Sequence, residues 1–170
     1  MRKFSINNKV ITQDTKPYII AEACINHGGK IKLAKKMVDL ASKAGASAIK
    51  FQMHVLDDEM LKLTPKSKNF SESLYETLEK TNLSVDEHKN LKKYCYSKKI
   101  DYLCTPFSFA SADILQEKVK LNFFKTGSGE LTNHPFQIHI AKKKKPTIIS
   151  TGMSSMKEVK ETVNLVKKIN

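Results

Sequence analysis

Short apolar segments alternate with longer helical patterns along most of the chain. Apolar residues recur at helical spacing between the short segments, as in Leu33, Met37 and Leu40, and Gly45 is placed to end that helix. The short segments are typical of strands buried on both faces. They are residues 18–22, 46–52, 101–105, 122–126 and 146–150. Strands that alternate with helices predict five βα units joined by right-handed crossovers into a parallel sheet.

Local signals place several element boundaries. Residues 3–12 carry alternating apolar positions around Asn7-Asn8, and asparagine tolerates positive φ, so this segment predicts a β-hairpin. Capping-box patterns at Ser84–Glu87 and Ser155–Glu158 predict two helix starts. Residues 56–83 show no clear period and are expected to be irregular.

The length bounds the architecture. A complete (β/α)₈ barrel takes about 250 residues, or about 31 for each unit, so a chain of this size holds about five units. The 170 residues therefore predict one domain, 1–170, of α/β class. Two closures remain open at this point: a doubly wound open sheet, or a TIM-barrel type fold that stops after about five units, with the hairpin before it.

Each predicted strand ends in polar or ionisable side chains. In a barrel these ends meet at one rim, where active sites of such folds lie. The residues, taken in strand order, are Glu22; Lys50 and Gln52; Thr105; Lys125 with the following Gly127-Ser128-Gly129-Glu130; and Ser150.

Two lysines at this rim indicate the kind of ligand. Lys50 and Lys125 lie among apolar neighbours, and burying an unpaired ammonium costs several kcal/mol unless an anion compensates. The Gly-Ser-Gly turn at 127–129 offers backbone N–H groups and a hydroxyl to a phosphate. The pattern predicts a site for a small phosphorylated anion, with Glu22 and Glu130 supplying acid and base capacity.

Other candidate groups are less specific. His27 suits a capping, core or functional role equally well, whereas His54, His88 and His139 have no partner at metal-ligand spacing and are expected to be structural or surface residues. The sequence holds neither a Walker loop nor a GxGxxG pattern, so a nucleotide is not expected.

Composition excludes several classes of protein. The net charge is +13, yet Arg2 is the only arginine, and base-reading surfaces depend on arginine, so no nucleic-acid partner is expected. No apolar run is long enough for a membrane span, and none suits a secretory signal. Three cysteines without a CxxC pair fit a reducing cytoplasm, the expected location.

Five ordered motifs together resemble the sialic acid synthase family, which includes the bacterial N-acetylneuraminate synthases and their legionaminic-acid relatives. The resemblance runs from about residue 4 to residue 170. The motifs are residues 20–29 (IAEACINHGG), 48–52 (AIKFQ), 104–108 (CTPFS), 124–130 (FKTGSGE) and 149–153 (ISTGM).

The resemblance implies an aldol-type condensation. Phosphoenolpyruvate C3 attacks the aldehyde of N-acetylmannosamine or a related amino sugar, giving a nine-carbon 2-keto acid, and a divalent metal, Mn²⁺ or Mg²⁺, polarises the aldehyde. By position, Glu22 would handle protons. Phosphoenolpyruvate would be held by Lys50, Thr105, Lys125, Ser128 and Ser150. The sugar would be held by Gln52, Asn69 and Glu130.

The resemblance also sets expectations about the whole protein. Family members have eight barrel strands and then a small antifreeze-like domain. Their metal-binding histidines lie in the later strands, so the matching positions are expected beyond Asn170, the last residue here. We therefore expect a truncated barrel that binds no metal tightly and is inactive alone, a homodimer for the full-length enzyme, and a second polypeptide as a candidate source of the other strands. An inactive phosphate-binding fragment and a basic non-catalytic α/β module are the alternatives.

Overall fold

The structure is a computed structural model that describes residues 4–7, 9–63, 65–66, 68 and 71–170. Its strands are β1 (Phe4–Ile6), β2 (Lys9–Ile11), β3 (Ile20–Cys24), β4 (Ala48–Met53), β5 (Asp101–Pro106), β6 (Phe124–Thr126) and β7 (Thr147–Ile149). Its helices are α1 (Ile31–Lys43), α2 (Leu56–Glu59), α3 (Leu74–Thr81), α4 (Val85–Ser97), α5 (Phe109–Glu117), α6 (His134–Lys142) and α7 (Met156–Lys167). A 3-10 turn spans Ser128–Glu130.

The strands form three small sheets in a mixed α/β fold. β1 and β2 pair antiparallel, and the turn residue Asn7 has a φ of 45°. β3, β4 and β5 pair in parallel in that order, and β6 pairs in parallel with β7. β6 packs beside β5, but no hydrogen-bonded ladder joins them. The sequence predicted one continuous sheet, whereas the hydrogen-bonded pairing breaks between β5 and β6.

The hydrophobic core lies between the strands and the helices. Phe51, Leu91, Leu115 and Phe124 are fully buried there. Ile6 of the hairpin belongs to a second cluster, on the opposite face of the strands, together with Leu103 and Phe123. Because side chains alternate along a strand, the face of β4 and β5 that carries Lys50, Gln52 and Thr105 is the one turned away from the helices.

Among the described helices, four begin at capping boxes, and one of these is formed by Ser108 and Ser111 at the start of α5. Those at Ser84–Glu87 and Ser155–Glu158 confirm the predicted starts of α4 and α7. A third, at Ser73–Glu76, starts α3 inside the segment that the sequence predicted to be irregular. That prediction was wrong because α3 has only eight residues, too few to show a clear period. None of the described helices is long and apolar enough to cross a membrane.

The loop after β3 packs tightly against α3 at one glycine. Gly29 has a φ of +72°, and a Cβ there would lie 2.6 Å from the carbonyl oxygen of Lys80. Gly28 also has positive φ, +54°, but nothing lies within 4 Å of its Cβ position.

A Gly29→Ala substitution should therefore lower the free energy of unfolding by about 2 kcal/mol more than Gly28→Ala, which carries only the backbone cost. Urea unfolding of both variants measures this difference, and equal losses would contradict the close contact.

Buried histidines should make stability depend on pH. His88 is fully buried with Nδ1 2.6 Å from the Tyr102 hydroxyl, and burial lowers its pKa to about 4, with smaller contributions from His27 and His54. In the unfolded chain a histidine has a pKa of about 6.5, so between these values the unfolded state binds more protons. Stability should therefore fall as the pH drops from about 6.5 to about 4, with His88 contributing up to about 3 kcal/mol.

Urea unfolding at a series of pH values tests the His88 contribution. The His88→Gln variant should show a flatter pH dependence than the unsubstituted chain over this range. His139→Gln is the matched control, because His139 is partly exposed and pairs with Asp113. An unchanged slope in the His88 variant would contradict the account.

Candidate functional site

An ion pair lies at the centre of the predicted rim. Nζ of Lys50 is 2.8 Å from a carboxylate oxygen of Glu22, and the two residues are paired in register across β3 and β4. The Lys50 side chain is 5% exposed, whereas that of Glu22 is 50% exposed. The lysine is therefore held in the interior by a carboxylate that water and ligands can still reach.

The second lysine, Lys125, lies close enough to Lys50 for their charges to interact. Lys125 donates a hydrogen bond from Nζ to the Ser150 hydroxyl at 2.5 Å, which joins β6 to the end of β7. Burial lowers the pKa of Lys125, the positive charge of Lys50 lowers it further, and Glu22 opposes this. The structure therefore brings two ammonium groups and one carboxylate into one electrostatic environment.

The turn after β6 meets the loop after β7. A Cβ at Gly152 would lie 3.0 Å from the Ser128 hydroxyl oxygen, so any larger residue there would push against this serine. Ser128 opens the 3-10 turn three residues after Lys125, and Gly152 follows Ser150 by two. The hydroxyls of Ser128 and Ser150 thus lie at the same end of β6 and β7 as the Lys125 ammonium.

Thr105 and Gln52 extend the site along β4 and β5. They are paired in register, on the same face as Lys50. Thr105 is buried, and its hydroxyl has no hydrogen-bond partner among the described residues. A buried hydroxyl without a partner costs free energy, which a ligand acceptor or donor at this position would recover.

Glu130 has partners outside this cluster in the structure. A carboxylate oxygen of Glu130 accepts a hydrogen bond from the Asn133 side chain at 2.8 Å, and its carbonyl accepts one from Gln137. Glu130 therefore serves the start of α6 in this structure rather than the lysines. Asn69 lies outside the described residues, so its predicted contact with a sugar stays a prediction.

Cys24 is a feature of the site that the sequence reasoning missed. The register between β3 and β4 shifts between Glu22 and Cys24, and Cys24 has a φ of 48°. A non-glycine residue in this region marks a strained position at the end of the strand. The Cys24 thiol donates to the Glu22 carboxylate at 3.5 Å, and burial raises its pKa, so it remains a thiol at neutral pH. The bulge and this contact help to aim Glu22 at Lys50.

The histidines are more buried than expected. His27 is 1% exposed, and its Nδ1 accepts a hydrogen bond from the N–H of Gly29 at 3.2 Å, so it closes the loop after β3. Burial lowers the pKa of His27. His54 is also buried and contacts Gln52 and Glu59, a connection that the sequence reasoning did not find.

The described residues do not fit the divalent metal that the resemblance implies. Within the described ranges, no three His, Cys, Asp or Glu side chains come together in a way that could hold a metal ion. Glu22, the carboxylate nearest the lysines, is instead paired with Lys50.

Asn170 follows α7 and donates a hydrogen bond from its side chain to the Lys145 carbonyl at 3.0 Å, just before β7. The expectation that the family's metal ligands lie beyond Asn170 stays a prediction.

Comparisons with known proteins show which proteins this chain is similar to. The N,N'-diacetyllegionaminic acid synthase of Campylobacter jejuni is 38% identical over 159 residues, which is 90% of this chain and 47% of that protein. The N-acetylneuraminate-9-phosphate synthase of Mus musculus is 34% identical over 158 residues, or 90% of this chain and 44% of the relative. The chain spans about half the length of the curated relatives it matches.

A solved structure extends the match to the fold. The N-acetylneuraminic acid (sialic acid) synthetase of Leptospira borgpetersenii superposes with a TM-score of 0.83 at 29% identity, covering 98% of this chain and 55% of that one. The mixed α/β fold is thus shared with sialic acid synthase domains of TIM-barrel-like architecture. The model of the NeuB family matches residues 37–170, most of the chain. The chain therefore belongs to the NeuB family.

Proposed function

We propose that this chain carries the phosphoenolpyruvate site of a sialic-type acid synthase. The reaction is an aldol-type condensation of phosphoenolpyruvate with N-acetylmannosamine or a related amino sugar to a nine-carbon 2-keto acid. Relatives named as legionaminic acid and N-acetylneuraminate-9-phosphate synthases support this class of reaction, and their different products leave the amino sugar open.

The observation that carries the proposal is the pair of lysines. Lys50 and Lys125 place two positive charges beside one carboxylate, Glu22, in a partly desolvated position. The excess positive charge, together with the hydroxyls of Ser128 and Ser150, suits an anion that carries both a phosphate and a carboxylate. Phosphoenolpyruvate is such an anion.

The proposed roles follow from position. Lys125, Ser128 and Ser150 hold the phosphate. Lys50, next to these residues, neutralises negative charge of the bound phosphoenolpyruvate. C3 of phosphoenolpyruvate forms a bond to the sugar aldehyde carbon, whose oxygen takes up a proton. Water adds to C2, the bond from C2 to the phosphate oxygen breaks, and inorganic phosphate leaves. Glu22, half-exposed beside Lys50, is placed to accept the proton of the attacking water.

Turnover is proposed to need more of the barrel than this chain holds. Among the described strands, β3 and β7 are the outer strands of their sheets, each with one side unpaired. Water entering from the open side would weaken the electrostatic contribution of the lysines to the reaction.

The test is an assay for the keto acid from phosphoenolpyruvate, N-acetylmannosamine and Mn²⁺. The 170-residue chain is assayed alone and after co-expression with a second polypeptide. This polypeptide supplies the last three strands of the family's eight-stranded barrel, whose first five correspond to β3 to β7 here, and the small domain of the family. We expect product only from the co-expressed pair. Efficient turnover by the chain alone would contradict the need for further strands, and no turnover by the pair would favour an inactive phosphate-binding fragment.

A further inference from the structure

A histidine and a glutamate lie directly behind the side chain that is proposed to face the sugar. Nδ1 of His54 is 2.8 and 3.0 Å from the two carboxylate oxygens of Glu59, so its N–H donates to that carboxylate. On the other side of the ring, Nε2 lies 3.3 Å from Oε1 of Gln52. The three side chains form one chain of contacts that ends at the rim.

The imidazole itself is held firmly in place. Its ring stacks on Phe107 with centroids 4.7 Å apart and planes 18° from parallel. The His54 carbonyl accepts a hydrogen bond from the Asn82 side chain at 2.8 Å. Phe107 in turn lies 3.5 Å from the position of a Cβ on Gly127. His54 is therefore fixed among the loops that follow β4, β5 and β6. Its ring stays in place when the Gln52 side chain moves.

Glu59 is anchored just as well, because it belongs to a helix whose acidic residues all have partners. In α2, Asp57 accepts a hydrogen bond from the Tyr75 hydroxyl at 3.2 Å, and Asp58 accepts one from the N–H of Ala110 at 2.8 Å. These contacts connect α2 to α3 and to the start of α5. The side chain of Glu59 is only 10% exposed, so it meets His54 largely out of water.

A free glutamine amide rotates broadly about its last torsion and presents either end to a ligand. With Oε1 facing His54, the NH₂ end of Gln52 is the one left to face the site. Both partners of the ring are then acceptors, which a doubly protonated imidazole satisfies. A ring protonated only on Nδ1 still donates to Glu59, but its Nε2 is then an acceptor. The Gln52 amide would then rotate so that its NH₂ group faces the ring. In either state His54 decides which end of Gln52 faces the ligand.

We propose that His54, held by Glu59, is a positioning residue that fixes the Gln52 amide for recognition of the sugar. The inference rests on the proposed function only for the identity of the ligand that Gln52 meets. Orienting the amide in advance removes the ordering cost that binding would otherwise carry, so the benefit should appear in sugar affinity rather than in phosphoenolpyruvate affinity.

The first test needs no activity. The side-chain NH₂ resonances of Gln52 are assigned in ¹⁵N spectra of the chain by their loss in Gln52→Ala. They should shift in His54→Phe, which keeps the ring stacked on Phe107, and in Glu59→Gln, which keeps the shape of Glu59. The matched control is His139→Phe, because His139 also pairs with a carboxylate and lies 4.9 Å from the Phe109 ring. Unmoved Gln52 resonances in both variants would overturn the proposal, whatever the outcome for phosphoenolpyruvate.

The second test separates positioning from general stability in the active protein. His54→Phe should raise KM for the amino sugar about tenfold or more, change kcat less than about threefold and leave phosphoenolpyruvate affinity within about twofold. In a Gln52→Ala background the same substitution should add less than about twofold, because its effect passes through Gln52. An equal effect in both backgrounds would overturn the proposal. If no form of the protein turns over, the proposed function fails while the amide resonances still decide the positioning role.

Discussion

A Glu22→Gln variant of the active protein is expected to lose about a hundredfold or more in kcat while it keeps or gains affinity for phosphoenolpyruvate. The loss follows from removing a group proposed to take a proton from water, a contribution of about 10²–10⁴ in typical enzymes. The retained affinity follows from charge, because the substitution removes a negative charge 2.8 Å from the Lys50 ammonium. Steady-state kinetics and a phosphoenolpyruvate titration measure the two effects separately.

The opposite directions of these two effects make the Glu22 prediction specific. A merely destabilised protein would lose activity and affinity together. Glu161→Gln is the matched control, since Glu161 is exposed on α7 and its substitution should change neither quantity. A kcat within about threefold of the unsubstituted value would rule out the proton-handling role of Glu22.

Lys125→Ala is expected to weaken phosphoenolpyruvate binding at least tenfold, or about 1.4 kcal/mol. The ammonium is half-buried, and the Ser150 hydroxyl that accepts its hydrogen bond leaves its charge unneutralised, so an anion there gains a strong partner. The dissociation constant is measured by titration, with Lys160→Ala as a control that removes the same charge from an exposed position on α7. Unchanged affinity in both Lys125→Ala and Lys50→Ala would refute the anion site.

Those features of the fold that depend on local pattern were predictable from the sequence. Five apolar segments became β3 to β7, because consecutive apolar residues bounded by polar ones suit strands covered on both faces. The capping boxes at Ser84–Glu87 and Ser155–Glu158 fixed two helix starts. The break between β5 and β6 was not predictable, since it depends on how three-residue strands twist against their neighbours.

The candidate site was predictable to the extent that charge conflicted with its surroundings. Lys50 and Lys125 were identifiable because ammonium groups in apolar strands require an explanation. The connection from Glu59 through His54 was not, because His54 precedes α2 and Glu59 is the last residue of this short helix, and residues five apart carry no periodic signal. The engagement of Glu130 by Asn133 likewise depends on the turn that β6 makes as it ends.

A crystal structure of the chain grown with phosphoenolpyruvate tests the central claim most directly. A phosphate oxygen is expected within hydrogen-bonding distance, about 2.7–3.2 Å, of Nζ of Lys125 and of a hydroxyl of Ser128 or Ser150. Thr105 or Lys50 is expected to contact the same molecule. Phosphoenolpyruvate bound only at surface lysines, such as the exposed Lys93 on α4 and the nearby Lys118 and Lys120, would contradict this claim.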